Sequence, residues 1–260
     1  MSGAPTIWDY SGIVAAAYDH YFGAEPYWDQ AFYDSRLRAN GGRALEVACG
    51  TGRLLLPLLR DGLQVEGLDT SRDMLDRLRA RARAMGLSPV LHEAPMQDFD
   101  LPSRYRAVFV PSTSFGILVE PDEVAAALAC FLRALEPGGE VVIPVSEASA
   151  ASEAVPDWRE RRNVRLPEED AHVVVFERIA YGDGGRLQRW QLRYEVERAA
   201  RPKEVFFREH VVRHYGAGEF RALLQAAGFE GVEVRRGYTE PQSSDPEDDL
   251  VFSARRPSAR

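Results

Sequence analysis

Cysteine is nearly absent from this sequence. Cys49 and Cys130 are the two in 260 residues, too few for a disulfide framework, and neither lies in a zinc-type cluster. A reducing cytoplasm is therefore the expected setting. No stretch reaches the roughly 18 apolar residues of a membrane span, and the opening MSGAPTIWDYSG lacks the basic start and apolar core of a secretory signal. An excess of positive charge is missing too. With a net charge of −8, a nucleic-acid partner would need a local basic patch that overrides the global field. Two basic clusters exist, Arg77, Arg79, Arg81 and Arg83, then Arg159, Arg161, Arg162 and Arg165. Acids are interleaved with both (Asp73 and Asp76; Asp157, Glu160 and Glu168), so they read as solvated faces, and no nucleic-acid partner is expected. Neither internal repeats nor low-complexity tracts occur.

What is present is enough apolar residue, 45%, for one large α/β domain with a smaller accessory element. Residues 7–39 are aromatic-rich and helical in pattern, with Tyr10, Tyr18, Tyr21, Phe22, Tyr27, Trp28, Phe32 and Tyr33. From Gly41 onward strands alternate with helices. RALEVACG (43–50) reads as a buried strand entering a glycine loop, RLLLPLLRDG (53–62) as a helix, and LQVEGLD (63–69) as a second strand. Ser71 is placed to cap the next helix, with Met74, Leu75 and Leu78 at helical spacing. Residues 89–94 and 105–111 give two further strands. The segment 121–139 gives an amphipathic helix that begins on a proline, and 140–145 a fifth strand. This alternation predicts a parallel, doubly wound sheet. After residue 146 the pattern changes. A polar, irregular stretch (147–169) precedes a hairpin, 171–181 and 186–197, and a third antiparallel strand at 203–215. On the middle strand Trp190, Leu192, Tyr194 and Val196 share one face, which must cover something; the mouth of the parallel sheet is the expected place. Helix 218–229 and strands 231–238 and 249–256 complete the chain. The expected organisation is a helical cap (1–40), a main domain (41–146 and 216–260) and a β lid (147–215).

The most informative stretch is Glu46-Val47-Ala48-Cys49-Gly50-Thr51-Gly52. Glycines after a strand and before a helix let backbone approach a ligand closely. The dinucleotide pattern Gly-x-Gly-x-x-Gly is not met, because the spacing here is acid-x-small-x-Gly-x-Gly; a plain strand-to-helix turn is the alternative. Asp69 closes the next strand. An acid there can accept both ribose hydroxyls, or it can simply cap the following helix.

ALEVACGTGRLLLPLLRDG followed by VEGLDTSRDML resembles the first two motifs of class I S-adenosylmethionine-dependent methyltransferases. LRALEPGGEVVIPV and HYGAGEFRALLQAAGF are similar to later segments of that family, so the likeness covers nearly the whole chain. The resemblance implies a Rossmann-like, doubly wound, seven-stranded α/β sheet with a small antiparallel lid inserted after the fifth strand. The lid resembles that of the subgroup holding glycine N-methyltransferase, sugar N-methyltransferases and natural-product tailoring enzymes. By position, Glu46, Ala48, Gly50 and Gly52 would line the methionine part of S-adenosylmethionine, and Asp69 would hold the ribose. Thr70 and Met74 would border the adenine, and Met96 would offer its backbone N–H to the ring. Gln97 or Asp98 would substitute for the acid that commonly meets the adenine amino group unless that contact is absent, and Pro111 is counted with the cofactor-binding residues. Pro95 stands where the family often has an acid, and it has no N–H to donate.

Methyl transfer from a sulfonium is an in-line displacement, for which positioning alone can supply about 7–11 kcal/mol. Tyr10, Trp28, Phe32, Ser114, Trp190, Tyr194 and Phe207 are the candidate walls of an acceptor pocket; each aromatic could equally be core. Tyr18-Asp19 matches a Tyr-Asp pair of the subgroup, whose tyrosine commonly points at the cofactor or acceptor. For proton removal His214 is the best-placed histidine, with Glu209 a further candidate; His20, His92, His172 and His210 have weaker cases. Ser112 to Ile117 resembles a Ser-Ser-x-Gly stretch of sugar N-methyltransferases, some of which carry histidine where Ile117 stands; that departure lowers the expectation of an amino-sugar acceptor. Pro111-Ser112-Thr113-Ser114 offers no acid cluster, so no metal is expected. The reading is methylation of a small molecule, nitrogen first, then oxygen or aromatic carbon as in a phenol or indole. A non-transferring cofactor binder is the alternative from another class. The lid and N-terminal helix are the expected contact surfaces of a homodimer.

Overall fold

The computed structural model describes residues 10–20, 25–149, 154–238 and 249–258; Tyr21 and Phe22 lie outside them. The Gly42-Arg43 approach leads into β1 (Ala44–Val47), all four of whose side chains are buried. The alternation then runs through α3 (Leu55–Arg60), β2 (Val65–Asp69), α4 (Arg72–Ala84), β3 (Leu91–Glu93), β4 (Tyr105–Phe109), α5 (Pro121–Ala134) and β5 (Leu135–Val145). Two helices precede it, α1 (Gly12–Tyr18) and α2 (Gln30–Asn40). After the lid come α6 (Ala217–Ala226), β10 (Glu230–Arg236) and β11 (Leu250–Arg255). The seven strands are ordered β10-β11-β5-β4-β1-β2-β3. The sheet is mixed rather than wholly parallel, because β11 runs antiparallel to both β5 and β10. Ser71 caps α4 as its sequence suggested, its hydroxyl accepting from the Met74 N–H at 3.2 Å. α5 stops at Ala134, five residues earlier than its apolar pattern implied, since Pro137 cannot extend a helix.

The inserted sheet has four strands, in the order β6-β7-β8-β9: β6 (Val155–Leu166), β7 (Ala171–Gly182), β8 (Leu187–Glu197) and β9 (Glu204–Arg213). The expectation of an irregular segment up to residue 169 is thus corrected. β6 is an edge strand whose charged residues conceal its pairing with β7, and such charges are what keeps an exposed edge from pairing with another chain.

The lid's apolar face does not simply roof the parallel sheet. Val173, Val175, Leu192, Tyr194 and Val196 pack against Val14, Ala16 and Ala17 of α1. The small residues of α1 let a helix slip under the lid, and α1 in turn lies on α4. Ser71 Oγ donates to the Tyr10 carbonyl at 2.7 Å, and the Gly12 N–H donates to Asp73 at 2.6 Å. Asp19 receives Arg77 at 3.1 Å and Arg81 at 3.4 Å. Two arginines of the first basic cluster therefore form an internal clasp, not a solvated face. Among the described residues no helix is long and apolar enough to cross a membrane.

Candidate active site

The glycine loop turns at Ala48, whose φ of 58° is the left-handed region that costs a non-glycine residue roughly 1–2 kcal/mol. Gly50 follows in the same region at 54°. Its N–H donates to Asp69 Oδ2 at 2.8 Å, and the Ser71 N–H donates to Oδ1, also at 2.8 Å. The carboxylate closing β2 therefore fixes both the glycine loop and the start of α4. Each oxygen keeps a further lone pair, so it can still accept from a ribose hydroxyl. Burial pushes the Asp69 carboxyl up, against the backbone N–H groups of Ser71, Gly50 and Thr70 that hold it down.

Among the described residues, one side chain guards the space above Gly50. A Cβ built there would meet Tyr18 Cε1 at 3.7 Å, so the ring of Tyr18 lies along the loop. Gly52 differs: a Cβ there would strike Leu78 and Leu56 at 2.9 and 3.0 Å, so its smallness lets α4 close on the loop. Glu46 is 2% exposed, and its Oε2 has no hydrogen-bond partner among the described residues. Burial raises its carboxyl well above the usual range, and Arg53 pulls the other way. A buried acceptor left unmade costs about 1–3 kcal/mol. The ammonium of an amino-acid ligand would satisfy it, so the donor set fits a methionine-bearing cofactor.

A second group shares this rim. Arg53 bonds Asp29 through both nitrogens at 2.6 and 2.7 Å, reaches Ser112 Oγ at 2.8 Å, and lies 4.5 Å above the ring centre of Trp28. Ser112 and Thr113 after β4 both adopt positive φ, 58° and 55°, a strain of about 1–3 kcal/mol each that persists only where surroundings impose it. The bond from Arg53 is one such restraint. Neither Arg53 nor Asp29 was singled out in the sequence; 24 residues separate them, and no local pattern signals a pair at that range.

The structure sorts the remaining candidates. Thr70 is exposed while Met74 and Met96 are buried; Ala48, Gln97 and Ser114 are half-buried and Pro111 is buried. Tyr10 meets Tyr18 edge-on at 5.2 Å and stacks on His210 at 6.0 Å. His210 is therefore the histidine joined to the loop by aromatic contacts. Burial, then Arg208 and Arg161, lowers its pKa to about 4. His214 is buried beside Tyr181, its pKa lowered by burial, and its Nδ1 has no hydrogen-bond partner among the described residues. Four further candidates have the following surroundings. Phe207 is 59% exposed, because strand alternation turns Phe206 inward onto Tyr194 and Phe207 outward. Glu209 lies on that same outer face, bonded to Arg189 and Gln191. Tyr194 is fully buried core, and Phe32 packs against Tyr33 and Tyr238 between α2 and the sheet. Trp190 does face inward, half-buried, with the guanidinium of Arg161 4.2 Å over its ring.

This strand order, with a glycine turn after β1 bonded to an acid closing β2, defines the class I methyltransferase architecture. Residues 44–139 match the family model of a methyltransferase domain. The chain is 31% identical to a phosphatidylethanolamine N-methyltransferase of Cereibacter sphaeroides, over 65% of this chain and 89% of that protein. It is also 31% identical to the dTDP-3-amino-3,4,6-trideoxy-alpha-D-glucopyranose N,N-dimethyltransferase of Streptomyces venezuelae, over 74% and 77% respectively. A crystal structure of a sugar N-methyltransferase from Streptoalloteichus sp. superposes with a TM-score of 0.74 at 23% identity, covering 99% of each chain. The chain belongs to the S-adenosylmethionine-dependent methyltransferases and is an enzyme of that family.

Proposed function

We propose that this protein methylates the amine nitrogen of a small molecule. The observation that carries the reading is the bond between Gly50 and Asp69, with the Tyr18 ring beside it, which brings a glycine loop, a carboxylate and an aromatic ring together at one point. S-adenosylmethionine, when bound, would supply an electrophilic methyl group to the nitrogen and leave as the neutral thioether S-adenosylhomocysteine. The proton of the methylated ammonium would pass to water as the product is released. Glu46 would accept from the amino-acid ammonium, with Ala48, Gly50 and Gly52 supplying the turn. Asp69 would hold the ribose, and Thr70, Met74, Met96, Gln97 and Pro111 would surround the base and close the site. Tyr18 and Tyr10 would wall the reacting centre, so that water is excluded from it.

The acceptors in the two relatives' names, phosphatidylethanolamine and a dTDP-amino sugar, share a nitrogen nucleophile and a phosphate. An amino sugar therefore stays among the candidates despite Ile117. His210, neutral at physiological pH, would orient the acceptor by hydrogen bonding rather than store its proton. Glu209 plays no part in this reading, because its carboxylate is engaged on the outer face.

The test is a titration with S-adenosylhomocysteine followed by mass spectrometry of reactions with candidate amines. Binding heat and a product heavier by one or two methyl groups are expected. No heat with either form of the cofactor would overturn the proposal.

A further inference from the structure

Glu46 Oε2 and the hydroxyls of Tyr33 and Tyr238 are buried and have no hydrogen-bond partner among the described residues. They lie on one side of the sheet. Tyr33 and Phe109 belong to the core beneath α2, with Tyr238 packed against it. Glu46, two residues on from Ala44 of that core, shares its face and pairs in register with Phe109. The Tyr33 ring is 4.9 Å from Phe109 and 6.1 Å from the ring of Tyr238, so Tyr33 links the carboxylate to the second phenol. Asp29 and Arg53 are common neighbours, since their charges bear on Glu46, Tyr33 and Tyr238 alike. That pair nevertheless supplies none of the three missing bonds.

Tyr33 and Glu46 are 1% and 2% exposed, so bulk water does not answer them. Burial pushes both phenols well above their ordinary range; each therefore keeps its proton and is a donor. The set is two O–H donors and one carboxylate acceptor, each of which costs stability while it stays unmet. An α-amino acid matches this set completely. Its ammonium has protons for Glu46, and its carboxylate has one oxygen for each phenol. The set also adjoins the chemistry, because Glu46 opens the run that turns at Gly50, whose N–H bonds Asp69.

We propose that the hydroxyls of Tyr33 and Tyr238 bind the carboxylate of the cofactor's methionine part while Glu46 takes its ammonium, which makes the space beneath α2 a subsite for an amino-acid zwitterion. The inference rests on the methyltransferase reading and adds to it two residues from outside the glycine loop. Tyr33 comes from α2 and Tyr238 from the turn after β10, so the subsite joins both ends of the chain to β1.

The test is calorimetry on the full chain with two ligands: S-adenosylhomocysteine, and its decarboxylated form, which keeps the ammonium and lacks the carboxylate. Tyr33→Phe and Tyr238→Phe each keep the ring and delete the hydroxyl. Each is expected to weaken S-adenosylhomocysteine on the order of tenfold, the loss of one hydrogen bond to a charged group. The decarboxylated ligand should bind both variants within about twofold of wild type. Urea unfolding of the unliganded variants should show no loss of stability, since the deleted hydroxyl has no partner there. Equal losses for the two ligands, or an unliganded stability that falls with the hydroxyl, would mean that buried water already satisfies the phenols, and would overturn this inference alone. So would a variant that binds S-adenosylhomocysteine as tightly as wild type does. Failure of the wild-type chain to bind S-adenosylhomocysteine overturns the methyltransferase reading itself.

Discussion

At the scale of single residues, Asp69 carries two loads. Its oxygens accept from Gly50 and Ser71 at 2.8 Å each, and in the proposed complex they also accept from the ribose. Asp69→Ala should therefore weaken S-adenosylhomocysteine by about 1–3 kcal/mol and also lower stability, since two backbone donors lose their partner. Calorimetry and urea unfolding on the same variant measure the two effects; an affinity unchanged from wild type would remove Asp69 from the ribose role. His210 gives a pH signature. Its pKa is about 4 in the fold against roughly 6.5 in an unfolded chain, so between those values the unfolded state binds more protons. Stability must then rise with pH across that window, by about 3 kcal/mol for this group. His210→Phe, which keeps a ring to stack on Tyr10, should flatten the slope of unfolding free energy between pH 4 and 6.5; an equally steep slope in the variant would refute the assignment. The place of His210 was not legible beforehand. The sequence favoured His214 by its place at the lid's return, but which face of β9 looks inward depends on register, and one residue of slip exchanges Phe206 for Phe207 and His210 for Glu209.

Among elements, the parallel strands were the most legible part because each is a short apolar run between turn signals, and burial enforces that pattern. β6 escaped notice because an edge strand needs no apolar alternation. The glycine loop and Asp69 were legible because backbone conformation and carboxylate placement are written locally. The Asp29–Arg53 pair was not, since it joins the entry to α2 with the residue after the loop. That pair is buried on both sides, with side-chain exposures of 0% and 9%. Truncating one partner strands the other charge, which typically costs about 3–5 kcal/mol. Asp29→Ala should show a loss of that size in denaturant unfolding, together with weaker cofactor binding as Arg53 releases Ser112 and the strained turn relaxes. A loss below about 1 kcal/mol, the range of exposed pairs, would mean that Arg53 finds another partner.

For the whole molecule, α1 is the piece that makes lid and sheet one system. It packs into the lid through Val14, Ala16 and Ala17, is tied to α4 through Asp19 with Arg77 and Arg81, and lays Tyr18 on the glycine loop. Arg81 also donates to the Thr51 carbonyl at 2.9 Å, so the clasp and the loop share a side chain. A ligand that fills the loop must therefore favour the arrangement in which α1 is seated, and a seated α1 fixes the lid's apolar face. At a hundredfold excess over its dissociation constant S-adenosylhomocysteine adds about 2.7 kcal/mol, a rise of very roughly 5–10 °C in melting temperature for a chain of this size. The stronger consequence is spatial: amides of β7 and β8, which belong to the lid, should gain hydrogen-exchange protection when the cofactor product binds on the far side of α1. Asp19→Ala leaves every ligand-facing group in place but unties the helix from α4, so it should keep most of the affinity while losing the gain in lid protection. Equal gains in variant and wild type would show that the lid senses the ligand directly, through Tyr10 and His210, and that the clasp serves stability alone.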